Sequence, residues 1–449
     1  MIAAQEILTL LHMAKTYRPY CPEQMFLLPP TLQDWLPENH LVYFVSDVVD
    51  ELDLSAIESH YEKDDRGQPP YHPRMMVKIL VYGYCVGVFS SRKIQKRLLE
   101  DVAFRLLAAG NQPDFRTVSD FRKIHHQALE GMFQQVLRLA LEAGAIKLGR
   151  VALDGTKVKA NASKHKAMSY GRMKEQERSL REEVRKLLSQ AKAADEDEDA
   201  RYGKDKSGDE LPEELSRRES RLKRIREAKR ALEERAREEA EKDAEQDAKD
   251  KEEAKDAKPK DKAQYNFTDP ESRIMKGSDG FVQAYNAQAA VESTTQLIVA
   301  QAVTQEANDK QQIVPMVEAI EQQAEQTPQQ LLADSGYCSE KNLEHFEDQV
   351  IDMYVATQRQ KHGEVQICSR GPLPKGATLV DHMRRKLQTK AGAAIYSRRK
   401  CIVEPVFGQI KQARGFRQFL LRGIDKVRAE WALVCLTHNI LKMYGLCHG

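Results

Sequence analysis

Long apolar runs are missing from this 449-residue chain: nothing approaches the roughly 20 consecutive apolar residues of a membrane-spanning helix. The opening MIAAQEILTLLHMAKTYRP has neither a basic front nor a small-residue cleavage site, so no secretory leader is expected. Cysteine is scarce (Cys21, Cys85, Cys338, Cys368, Cys401, Cys435 and Cys447), with no C-x-x-C pair. That excludes a zinc knuckle and a disulfide framework and predicts reduced thiols in the cytoplasm. Net charge is also small, +2 overall, which alone speaks against a dedicated binder of polyanions. The distribution of charge reverses that impression.

Residues 171–262 hold 27 Lys and Arg against 29 Asp and Glu. Residues 356–426 hold 16 Lys and Arg against only Glu364, Asp381, Glu404 and Asp425. A local excess of that size calls for an anionic partner or an internal acidic counterpart. Tyr396, Val406, Phe407, Phe416 and Phe419 are interleaved with the bases, so the stretch reads as folded. A polyphosphate partner is favoured over a merely solvated surface.

Residues 1–145 read as helical. Pro73 opens RMMVKILVYGYCVGVF; Ser90 or Ser91 caps RKIQKRLLEDVAFRLLAAG, read as one helix ending at Gly110. PDFRTVSDFRK then turns into HHQALEGMFQQVLRLALEAG. Short helices with exposed Arg92, Lys93, Lys96 and Arg97 fit a helix-turn-helix-like DNA contact, and equally a plain bundle that these bases only solvate.

GRVALDGTKVKANAS predicts a strand with Asp154 at its end. Residues 171–262 read as an inserted helical hairpin or short coiled coil. Its seams are Met173, Leu180 and Leu187, then Leu215, Leu222, Ile225, Leu232 and Ala236. A break is expected over Ala193 to Pro212, where Asp195 to Asp199 are all acidic, and a frayed or disordered return after Ala236. FVQAYNAQAAVES and QLIVAQAVTQ predict a hairpin; DKQQIVPMVEAIEQQAEQ a helix; LLADSGYCS a strand ending in Asp334; KNLEHFEDQ a helix; VIDMYVA a strand. A basic loop with GPLPKG and MRRKLQTK follows, then a helical stretch from Tyr396 to Arg414 and an apolar helix around Trp431. Such an order predicts an α/β core, a mixed sheet flanked by helices.

Asp154 and Asp334 each end an apolar strand beside a glycine, at the rim of a sheet where ligands of α/β proteins collect. Either could equally be a turn-former. Glu404 stands in YSRRKCIVEPVFGQIKQARGF, where nearly every other charge is positive, and is an ion-pair partner of Lys400 or a metal ligand. Three convergent carboxylates can hold two hard divalent cations, and two such ions serve an in-line phosphoryl displacement.

These residues resemble the DDE-type transposases of bacterial insertion sequences. The resemblance rests on VALDGTKVKANAS around Asp154, FTDPESRIMKGSDGFVQAYNAQAAV, LLADSGYCS around Asp334, and a Tyr-Arg-Glu-Lys signature at Tyr396, Arg399, Glu404 and Lys411. Four residues separate Arg399 from Glu404 where the family's commonest pattern has three, and Pro405 places Glu404 at a helix start or kink. The resemblance implies an RNase H-like core (146–170 and 263–426) behind a helical N-terminal domain (1–145) that binds DNA. The charged insertion (171–262) interrupts that core, and the helix at 427–449 packs on it. It implies cleavage of element ends and joining to target DNA by Asp154, Asp334 and Glu404 with two Mg2+ ions, Mn2+ being a substitute. Tyr396, Arg399, Arg398 and Lys411, with Arg92 and Lys96, would contact DNA. The partners implied are double-stranded DNA (terminal inverted repeats and target) and a second copy of the chain in a homodimer, without a membrane, at the bacterial nucleoid. A metal-dependent nuclease without strand transfer, or a non-catalytic DNA-binding or scaffold relative, are the other readings.

Overall fold

The computed structural model describes residues 31–62, 69–202, 213–247, 257–277, 280–358 and 373–448. Cys21, His362 and Cys368 lie outside them, as do residues 203–212 of the break expected over 193–212 and residues 248–256 of the return expected after Ala236. The N-terminal part is helical: α1 (Leu41–Asp50), α2 (Ser55–Tyr61), α3 (Pro73–Cys85), α4 (Ser91–Glu100), α5 (Val102–Leu107), α6 (Phe115–Ile124) and α7 (His126–Glu142). Local chemistry starts several of them. Pro73 occupies the first turn of α3, and the Asp114 carboxylate caps α6 by accepting from the Thr117 amide. The single helix expected over RKIQKRLLEDVAFRLLAAG is two. Asp101 is extended and its carboxylate accepts from the Ala103 and Phe104 amides, which ends α4 and begins α5.

The sheet contains β1 (Arg150–Lys159), β4 (Arg273–Gly277), β5 (Gly280–Glu292), β6 (Ile298–Thr304), β7 (Gln330–Ala333) and β8 (Asp352–Val355), with β2 (Ala167–Ser169) and β3 (Gln264–Asn266) forming a separate ribbon. β5 is the long central member. It pairs antiparallel with β1 on one edge and with β4 and β6 end to end on the other. β7 then adds parallel to β1, and β8 parallel to β7. β4 was not read from the sequence, because RIMKG is too short and too mixed to show alternation. β1 also runs past Asp154 to Lys159, since β5 stays paired with it beyond the point where β7 ends.

Helices cover the sheet: α10 (Ile313–Ala324), α11 (Glu340–His345), α12 (Leu379–Gln388), α13 (Lys390–Ser397), α14 (Arg399–Gly408) and α15 (Ile424–His448). The basic segment expected to be a loop is therefore helical from Leu379. Thr378 and Asp381 form a reciprocal capping box that outweighs the preceding Pro and Gly. α15 packs against β6 and against α3 and α7, and Val45, Leu80, Phe133, Leu153, Ile298 and Trp431 belong to one continuous core. Buried Glu430 ties these layers, accepting from the Tyr84 hydroxyl at 3.0 Å and from the Leu420 and Leu421 amides. Among the described residues no helix is long and apolar enough to cross a membrane.

Between β2 and β3 the chain makes its excursion, α8 (Tyr170–Tyr202) and α9 (Glu213–Asp247), which pack on each other. Tyr170, Met173 and Leu180 meet Leu222, Ile225, Ala228 and Leu232 in a small core separate from the main one. The break expected from Ala193 does not occur before Tyr202. Ala and Glu are strong helix formers and an Asp costs only a fraction of a kcal/mol each, so the acidic run stays helical.

Candidate active site

Leu153 of β1 pairs with Ala333 of β7, so Asp154 and Asp334 follow at the same level on neighbouring parallel strands. Each carboxylate accepts from a nearby backbone amide: within β1 the Gly155 amide donates to Asp154 Oδ1 at 2.8 Å, and in the turn after β7 the Gly336 amide donates to Asp334 Oδ1 at 2.8 Å. Asp154 Oδ2 accepts from Arg399 Nη1 at 3.1 Å, and Nη2 of the same guanidinium lies 4.0 Å from Glu404 Oε1. Arg399 thus stands between two acids that are 250 residues apart in the chain. Burial pushes the Asp154 carboxyl up to about 6, with Arg399 opposing that rise and the Asp334 charge adding to it. Burial works against the charge of Arg399, but the Asp154 carboxylate and its neighbours hold its pKa above the usual value.

Glu404 sits within α14 and not at its start. Pro405 removes the amide that would bond the Cys401 carbonyl four residues back, and Gln296 Nε2 fills that place at 2.9 Å. Gln296 belongs to the β5–β6 turn with φ of +60°, and its Oε1 accepts from Lys442. The helix continues into a π-helical turn, Gln409–Ala413. That turn delivers Lys411, whose ammonium donates to Thr156 Oγ1 and, at 2.9 Å, to the Lys157 carbonyl on β1.

Tyr396 lies against Arg399, its phenol raised in pKa by burial. Arg398 is exposed at the start of α14. Arg92 and Lys96 are elsewhere, exposed on α4, which packs against α3, α5 and α6. The Arg92 guanidinium covers the Phe115 ring at 4.0 Å and Lys96 faces Glu100 at 3.7 Å.

Beside Asp154 opens a cavity of about 550 Å3 whose charged lining, among the described residues, is Lys157, Lys159, Lys276, Lys411 and Arg417. Burial and the adjoining Lys157 and Arg417 charges lower the Lys411 pKa, as expected of like charges held close together. Lys276 was missed because its strand was missed. Asp309 was missed as well. It accepts from Asn286 Nδ2 at 2.6 Å and Gln288 Nε2 at 2.8 Å, with Lys157 Nζ at 3.5 Å. This network fills the space beside Gly155, where a Cβ would meet Gln288 Nε2 at 2.3 Å. Only tertiary pairing shows it; no spacing in the sequence does.

Among the described residues no three His, Cys, Asp or Glu side chains are drawn together tightly enough to enclose a metal ion. The donor set still fits a hard divalent cation. Its oxygens are carboxylates, a cation already stands between two of them as Arg399, and Arg399 Nε is buried without a hydrogen-bond partner. Glu404 is 55% exposed and has room to turn.

A family model described as Transposase domain (DUF772) matches residues 30–124, and one described as Transposase DDE domain matches residues 250–440. The second span takes in Asp334 and Glu404; Asp154 lies outside both. No curated protein and no solved structure matches the chain. The two matches make the protein a transposase. The chain belongs to the DDE-type transposases of insertion elements, a family whose substrate is DNA and which generally uses divalent metal ions.

Proposed function

We propose that this transposase cuts insertion-element ends and joins them to target DNA at Asp154, Asp334 and Glu404. The observation that carries the reading is the one arginine, Arg399, placed against both Asp154 and Glu404 while Asp334 follows on the adjacent strand. Strand order supports an RNase H-like core: three antiparallel strands, β6, β5 and β1, then β7 and β8 parallel to β1.

Asp154, Asp334 and Glu404 would hold the divalent ions. When bound, such ions activate a water or 3′-hydroxyl and stabilise the leaving oxygen. The chain's own residues do the rest. Asp154 must be ionised to act as a ligand, and Arg399 favours that form. Lys411 and Lys157, with Lys159, Lys276 and Arg417, seat the phosphates of the strand next to Asp154. Tyr396 and Arg398 flank the strand on the α14 side. The helical N-terminal region, with Arg92 and Lys96, contributes to gripping the duplex, and two copies of the chain act together on two ends.

Purified protein incubated with Mg2+ and a plasmid carrying its element's ends is expected to release the element and join it elsewhere. Asp154→Ala and Glu404→Gln should lose both products while retaining DNA binding. Nicking that survives in Asp154→Ala refutes the assignment, and cutting without joined product by the native protein reduces it to a nuclease.

A further inference from the structure

A second cavity, about 640 Å3, opens away from the acids, between the β2–β3 ribbon and the inserted helix α9. Lys166, Arg221 and Arg224 bring positive charge to its walls, and among the described residues Glu227 is the carboxylate that lines it. Tyr265 of β3 and Phe267 just after it line it too, edge to face at 5.5 Å and both half-buried. The volume lies within the range of pockets that enclose a small organic group.

One stretch of α9 is basic, although the helix as a whole is not. From Arg217 to Arg230 there are eight Lys and Arg against Glu219 and Glu227. Acids of α8 neutralise some of these: Glu177 takes Arg226 at 3.3 Å and Lys229 at 3.1 Å, and Glu183 takes Arg218 at 3.0 Å. Arg221 donates to Gln176 at 3.2 Å. The side chains of Arg224 and Lys166 are exposed and have neither an ion pair nor a hydrogen bond among the described residues. Unneutralised cations at the mouth of a cavity floored by two aromatic rings suit a nucleotide. Its phosphate takes the cations and its base stacks on a ring. A paired base has its faces covered by its neighbours, so the base must be unpaired.

We infer that this cavity is a second DNA contact, taking an unpaired nucleotide of the substrate with its base against Tyr265 and Phe267 and its phosphates against Lys166 and Arg224. The inference rests on DNA being the substrate and not on the chemistry at Asp154.

The test is fluorescence anisotropy with the full chain in EDTA, using a short labelled oligo(dT) strand and a blunt duplex. The paired charge reversal Lys166→Glu with Arg224→Glu should weaken oligo(dT) binding about tenfold or more and flatten its salt dependence. Phe267→Ala should weaken it by about fivefold or more, the loss of one stacked base, with duplex binding changed less than about twofold. Both reversed residues are exposed, so that variant keeps its fold. If a melt shows Phe267→Ala unfolded, Phe267→Leu keeps the apolar contact and removes the ring. A native protein that binds neither probe overturns the DNA reading together with this one. Native binding that all these variants retain, or an equal loss on duplex, overturns this inference alone.

Discussion

At the scale of single residues, the decisive pair is Asp154 and Arg399. A carboxylate largely withdrawn from water and near a second one is costly to ionise, and its pKa of about 6 records that cost. Because the folded value lies above the unfolded one, the contribution of this group is complete below about pH 4 and is lost as pH rises through about 6. Asp154→Asn removes the ionisation. In metal-free buffer its stability relative to the native protein should grow by about 2 kcal/mol between pH 4.5 and 7.5, measured by urea unfolding. Mg2+ at the higher pH should raise the melting temperature of the native protein and leave that of Asp154→Asn unchanged. A variant whose relative stability is the same at both pH values would mean that Asp154 is solvated in the folded chain.

At the scale of elements, α14 is held at its proline by another element. A helix with Pro405 inside leaves the Cys401 carbonyl without its usual amide, and the β5–β6 turn supplies one through Gln296. The same side chain accepts from Lys442 of α15, so one turn residue fixes the helix that carries Arg399 and Glu404 against both the sheet and α15. Gln296→Ala keeps the left-handed backbone conformation and loses both bonds, a cost of about 1–2 kcal/mol. Gln296→Gly loses the same bonds but relieves the φ of +60°, so it should be the milder change. Urea unfolding of the two variants checks the order; a milder alanine variant would rule out strain at this turn.

At the scale of the whole molecule, the N-terminal helices, the sheet and α15 share one buried core, whereas the insertion keeps a small core of its own. The ribbon β2–β3 closes its base, the Tyr170 amide donating to the Ala263 carbonyl at 2.8 Å. Removing residues 172–260 and joining the ends with a short flexible linker should therefore leave the melting transition of the remainder within a few degrees, by calorimetry. Binding of oligo(dT) should weaken at least as much as in the Lys166 and Arg224 reversal. Collapse of the transition would show that the inserted helices are part of the main folding unit.

The strand at Asp154, the β5–β6 hairpin, the strand ending in Asp334 and the apolar final helix were legible from the chain, because alternation and apolar spacing are local properties. Part of the insertion's seam was legible for the same reason: Met173, Leu180, Leu222, Ile225 and Leu232 meet in its small core, whereas Leu187 and Ala236 are not part of it. Local reading erred where a side chain from elsewhere decides the outcome. Pro405 is tolerated within α14 because Gln296 answers it, and the basic segment is helical from Leu379 because Thr378 and Asp381 cap each other. Lys276 enters the cationic cavity only because β4 pairs with β5. Sequence alone determined which residue types are available, carboxylates beside apolar strands and one more among crowded bases. Tertiary structure decided which meet: strand register puts Asp154 level with Asp334, and the packing of α14 on β1 sets Arg399 between Asp154 and Glu404. Register and packing depend on contacts hundreds of residues apart, and no local pattern encodes those.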